Sequence, residues 1–218
     1  MSINPSETQE ARQGAPEARY APWRDLLSTG VHALQPSRNE LEAETTTQRG
    51  FMPATIPGLL QTPEYARHVF EQLAVSSDGI PPTVKEAVRL RMRRQEALRV
   101  PGKSFHIVLT EAPLHYGLVP PDVMREQLTR LIDDSTLPAL QLGLIPFRAM
   151  PTGRIPLHGF WIMDTRVVTV ETFAAALKLT DPSEIRVYSR VFDQMAAAAV
   201  YGDEARQLVN SVALTISP

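Results

Sequence analysis

The chain has 218 residues, 43% of them hydrophobic, a formal net charge of -2 and no cysteine. That is enough apolar material for one well-buried domain, and the missing cysteines exclude disulfides, thiolate zinc sites and a cysteine nucleophile. No apolar run approaches the ~20 residues of a membrane span, residues 1–20 lack a signal-peptide core, and the near-neutral charge argues against a surface built to hold nucleic acid. The expectation is a soluble, cytoplasmic protein.

Residues 1–19 are polar and carry Pro5, Gly14 and Pro16. They cannot offset their ordering entropy and read as a mobile tail, with a single ligand- or partner-binding domain over residues 20–218. Pro22, Trp23, Leu26 and Leu27 predict a short amphipathic helix over 20–30, closed by Gly30. Ser37 and Glu40 have capping-box spacing, which predicts a second helix to about Gln48.

Residues 51–73, FMPATIPGLLQTPEYARHVFEQL, form the most informative stretch. Pro53 and Pro57 pin an extended entry. Thr62 is an N-cap candidate, Pro63 suits the first helical position and Glu64 favours the positive end of the helix dipole. Tyr65, Val69, Phe70 and Leu73 then share one helical face.

After a loop at 76–82, Thr83 and Glu86 repeat the capping-box spacing and open a helix through Leu98 that should bury Val84, Val88 and Met92. Its other face carries Arg89, Arg91, Arg93, Arg94 and Arg99. That face is either a phosphate- or partner-binding surface or a solvated face paired in part with Glu86 and Glu96.

Residues 105–111, FHIVLTE, read as a strand; Pro121 starts a helix with Met124, Leu128, Leu131 and Ile132 on its apolar stripe. Leu140, Leu142 and Leu144 alternate in a second strand over 139–145. A proline-rich connection over 146–156 leads to strands at 157–163 and 166–172, joined at Asp164-Thr165 as an antiparallel hairpin. Asp181-Pro182-Ser183-Glu184 caps a helix carrying Ile185, Tyr188, Val191, Phe192, Met195 and Ala199. Gly202 breaks it before a last helix with Leu208, Val209 and Val212. The order implies an α+β domain, a small mixed or antiparallel sheet of about four strands with flanking helices.

PGLLQTPEYAR (57–67), RLRMRRQEAL (89–98), TEA (110–112), LGLIPF (142–147), HGFWIMD (158–164), VVTVE (167–171) and VYSRVFDQMAAAA (187–199) occur here in a recognisable order. Together they resemble the C-terminal domain of unknown function of actinobacterial Xre-type helix-turn-helix regulators, the WhiJ-like proteins. The resemblance spans roughly residues 20–215. It implies a body that receives a signal or binds a small partner protein, while a separate helix-turn-helix module binds DNA. Ahead of the matched stretches this sequence offers only the polar tail and two short helices, so the expectation is a regulator body without that module. The family's acidic pair at the end of the first strand is Thr110-Glu111 here.

No GxSxG, HExxH, GxGxxG or Walker pattern is present. His32, His68, His106, His115 and His158 show no paired ligand spacing, so no metal site and no cofactor are expected. What remains is polar residues at strand ends: Glu111, His115, Tyr116, His158, Trp161 and Glu171. If their strands are neighbours, they line one end of the sheet, where a carboxylate can hold a ligand amine or hydroxyl or act as a general base. The competing reading makes Glu111 and Glu171 strand-end carboxylates bonded to backbone amides or arginine, and Trp161 part of the core. His158 and Trp161, an odd number apart, face opposite sides of a regular strand.

Two functions follow. One is a sensing domain that binds a small apolar molecule or a small acidic partner protein, with no direct nucleic acid and no membrane contact. The other is a cofactor-free cyclase or isomerase of secondary metabolism, folding an apolar intermediate in a hydrophobic pocket and working by orientation. An enclosed apolar cavity of ~300 Å³ or more favours a ligand or substrate; a solid core with an exposed apolar patch favours a protein.

Overall fold

The computed structural model describes residues 19–22, 41–75, 84–149 and 155–216. Most of the expected tail, the helix expected from Trp23 onward and the two capping threonine and serine residues, Thr83 and Ser37, lie outside these.

Among the described residues one sheet of eight strands organises everything, twice the number expected. In chain order these are β1 (Arg19–Pro22), β2 (Thr47–Met52), β3 (Ser104–Thr110), β4 (Leu140–Ile145), β5 (Phe160–Met163), β6 (Val167–Glu171), β7 (Ala175–Leu179) and β8 (Val200–Tyr201). Their order across the sheet is β1-β7-β6-β5-β2-β3-β4-β8. The longer α-helices are α1 (Pro63–Val75), α2 (Val84–Arg94), α3 (Pro121–Asp134), α4 (Pro182–Ala197) and α5 (Gly202–Thr215). Strands β2, β3 and β4 are parallel, and every other pairing is antiparallel. The domain is α+β with a mixed sheet.

Three expectations are corrected here. Tyr20, Ala21 and Pro22 are in β1, paired with β7, and are not helical; Pro22 is tolerated at the end of an edge strand. The helix expected to run to Gln48 stops at residue 44, because Thr47 and Gln48 already pair with β3. On α2 the buried side chain is Ala87, with Gln95 and Leu98 just beyond it; Val84, Val88 and Met92 are only half-buried.

Strand alternation sorts the core into two layers. Phe105, Ile107 and Leu109 of β3 and Leu140, Leu142 and Leu144 of β4 face α1, α3 and α5. Val108, Ile145, Phe160, Ile162, Val168 and Val170 face α4, which contributes Ile185, Phe192 and Met195. Gly50 belongs at the centre of β2 because a Cβ there would stand 2.6 Å from the Trp161 ring. Under α4, burial and the nearby Arg49 hold His106 below its ordinary pKa. The Tyr201 hydroxyl donates to Ala196 O at 2.9 Å, so His106 Nε2 donates to the hydroxyl, also at 2.9 Å.

The connection from β2 to α1 is irregular and buried, so its backbone needs partners. Three glutamines supply them. Gln61 Nε2 donates to Ile56 O at 2.7 Å. Gln95 Nε2 donates to Gly58 O and Gln61 O, both at 2.8 Å. Gln127 Nε2 donates to Leu60 O at 2.7 Å while its Oε1 accepts from Thr62 N at 2.8 Å. Thr62 Oγ1 then accepts from Tyr65 N at 3.2 Å and starts α1, as the sequence predicted. Arg91 Nη1 donates to Gln61 Oε1 at 2.6 Å and its guanidinium lies 3.9 Å from the Phe70 ring centroid, tying α2 to α1.

The β5–β6 turn is fastened to the start of β2. Asp164, at φ 51°, accepts from Thr46 N and Thr47 N through Oδ1 at 3.1 and 2.9 Å. Burial pushes its carboxyl pKa up, but the amides of Thr47 and Thr46 and the Arg166 guanidinium outweigh this and hold it below the ordinary value.

Two outcomes are expected. Gln95→Leu strands two buried carbonyls and should cost about 3 kcal/mol in urea unfolding, whereas Tyr65→Phe, which removes a buried hydroxyl with no partner, should cost nothing or stabilise. A carboxyl with a depressed folded-state pKa stabilises fully above its unfolded value and loses that contribution as pH falls through the folded one. The stability gap between the wild type and Asp164→Asn should therefore be widest near neutrality and close below about pH 4.

Candidate functional site

The strand directions bring many chain ends to one edge. β6 runs parallel to β2, β3 and β4, so these four strands end, and β5 begins, at the same end of the sheet. Glu111, His115 and Tyr116 follow β3, Glu171 closes β6, and His158 and Trp161 lie at the start of β5. All six sequence candidates therefore stand near this end, but they do not converge on one pocket.

Glu111 and His115 do meet. Glu111 Oε1 accepts from His115 Nε2 at 3.0 Å, and its Oε2 accepts from Phe147 N at 2.9 Å. Its own N–H donates to Ile145 O at 2.9 Å, so one residue clamps the ends of β3 and β4. The His115 and Phe147 ring centroids are 5.4 Å apart. Tyr116 and His115 edge a depression of about 260 Å³ walled by Leu114, Met124, Val212 and Ile216.

The other three go elsewhere. Trp161 is buried against Gly50 in the layer facing α1, α3 and α5. His158 is on the α4 side, with its Nε2 3.1 Å from the Tyr188 hydroxyl, whose pKa is raised by burial and then by Glu184. Glu171 is exposed on β6, three strands from β3.

The same end carries side chains the sequence reading passed over. Phe147, Ile155, Leu157 and Phe173 are 56%, 77%, 78% and 104% exposed. They sit on three separate connections, leaving β4, entering β5 and joining β6 to β7. The sequence signal was present: large apolar residues, each next to a proline or a threonine, with no periodic partner. A second depression, about 310 Å³, lies away from this rim among Thr62, Glu126, Arg130 and Asp133. Neither depression is an enclosed cavity.

The arginines of α2 are largely engaged inside the molecule. Arg89 pairs with Glu86 at 2.6 Å, Arg94 with Glu42 at 2.5 Å, and Arg91 is held as described above. Among the described residues no group of three His, Asp or Glu side chains is placed to hold a metal, and no helix is long and apolar enough to cross a membrane.

Fold and surface together define an α+β domain with a mixed central sheet and an apolar rim at the end where its parallel strands terminate. The chain belongs to the family described as Domain of unknown function (DUF5753), whose sequence model matches residues 37–211. No curated protein matches it. Among solved structures it is similar to NucT from Helicobacter pylori, at 10% identity and a TM-score of 0.46, covering 85% of this chain and 98% of that one. Nuc from Salmonella typhimurium, a phospholipase D family member, gives 10% identity and 0.45, covering 85% and 97%. TrmBL2, an archaeal chromatin protein whose structure is described as showing a novel mode of DNA binding, gives 12% and 0.39, covering 90% and 58%. At these scores the likeness is one of distant shape.

Glu111→Ala should release the Phe147 amide: faster hydrogen exchange at Phe147 and a stability loss of about 1–3 kcal/mol are expected, measured by exchange mass spectrometry and urea unfolding.

Proposed function

We propose that this chain is the protein-docking body of a regulator, receiving a protein partner on the sheet end framed by Phe147, Ile155, Leu157 and Phe173. One observation carries the reading: four large apolar side chains on three connections are held in solvent at the same end. A monomer gains nothing from exposing them, and apolar patches of this kind mark interaction surfaces. Among the described residues apolar side chains pack on both faces of the sheet and the two depressions are open to solvent, which supports a protein over an enclosed small molecule or a folded substrate.

The depression beside His115 and Tyr116 adds an anchor site, since hot spots are pockets that take one large side chain. The resemblance to WhiJ-like regulators supports placing the domain in a regulatory system, where it acts through docking rather than by gripping DNA. The near-neutral charge and the pairing of Arg89 and Arg94 with carboxylates of the same chain support that division.

Native mass spectrometry of the protein purified from its own cells tests this. A polypeptide, whether a second copy or another chain, should remain bound to the wild type and to a Leu214→Asp control, and be lost from Phe147→Asp/Phe173→Asp. A wild type carrying only a small organic molecule or nothing, or a rim variant that binds as the wild type does, overturns it.

A further inference from the structure

The rim has a symmetry of its own. In the strand order β6-β5-β2-β3-β4, β2 is the middle strand. Phe173 lies just beyond Glu171, the last residue of β6, and Phe147 lies just beyond Ile145, the last residue of β4. With neighbouring strands about 4.8 Å apart, each phenylalanine stands about 10 Å from the end of β2, on opposite sides.

Charge follows the same pattern with its sign reversed. Arg148, next to Phe147, and Glu171, next to β6's Thr172-Phe173 exit, are both exposed. Ile155 and Leu157 occupy the interval between them, on the entry to β5. A two-fold axis normal to the sheet, passing just beyond the end of β2, therefore sets aromatic against aromatic and places each arginine against a carboxylate. Such a surface is complementary to itself, the condition for an isologous contact.

We propose that the protein partner of this sheet end is a second copy of the chain, docked end to end about a two-fold axis just beyond the terminus of β2. This rests on the docking reading above and names its occupant. Phe147 of one copy packs on Phe173 of the other, and Arg148 reaches the other copy's Glu171, a residue that also interacts within its own chain. A net charge of only -2 per copy sets up little long-range repulsion between them.

Sedimentation equilibrium over a wide concentration range decides it. The wild type and Leu214→Asp should be dimers, and Phe147→Asp, whose side chain is mostly in solvent, should be a folded monomer by circular dichroism. Arg148→Glu and Glu171→Arg should each weaken the dimer roughly tenfold, and the double variant Arg148→Glu/Glu171→Arg should recover most of the loss. A wild type that stays monomeric, a dimer indifferent to Phe147→Asp, or charge reversals that do not compensate overturns the two-fold contact. If the wild type is monomeric yet its own cells supply a rim-dependent polypeptide, the second copy is excluded while the docking surface stands.

Discussion

The structure depends on a small polar network that saturates one irregular segment. Between β2 and α1 the chain turns through Ile56–Thr62 while largely buried, and its one short 3-10 turn, Gly58–Leu60, absorbs the Pro57 carbonyl but leaves those around it. Gln61 takes these up from within the segment, Gln95 from the turn that follows α2, and Gln127 from α3. Arg91 and Arg130 in turn hold the oxygens of Gln61 and Gln95. Because an unpaired buried carbonyl is so costly, these residues fix how α1, α2 and α3 sit against the sheet. The stretch PGLLQTPEYAR is thus a packing device, which is why it identifies a family without disclosing a chemistry.

Periodicity was readable where one face of an element meets one core. β3, β4, the β5–β6 hairpin and helices α1, α3, α4 and α5 all follow from alternation, apolar spacing or caps such as Asp181, whose Oδ1 accepts from Ser183 N at 2.6 Å. It failed where both faces are covered or the pattern is too short. In β2, Gln48 and Gly50 occupy buried positions, the first with its Oε1 unpaired and the second beneath the Trp161 ring, so no apolar alternation survives in TQRGFM. β7 reads AALKL, a composition equally suited to a helix, and β8 has only Val200 and Tyr201. The count of about four strands came from these three omissions and from reading β1 as the start of a helix.

The candidate site was legible in place but not in content. Strand-end reasoning put Glu111, His115, Tyr116, His158, Trp161 and Glu171 at one end of the sheet, and the register locates them there. Parity correctly separated His158 from Trp161, now on the α4 side and in the opposite core layer. Polar residues drew attention because catalysis requires them, whereas the surface that stands out physically is apolar. Phe147 and Phe173 are read as loop residues by any composition rule, since only the folded register shows that β4 and β6, on opposite sides of β2, terminate at the same end of the sheet.

The central position of β2 also governs how this protein is made. Its partners are β3 and β5, and the second is translated roughly a hundred residues later, on the order of 5–20 s of elongation. Until then a strand destined for the middle of the sheet has an open hydrogen-bonding edge on the ribosome. Chaperone capture during synthesis, rather than stability once complete, is the step at which this topology is most vulnerable.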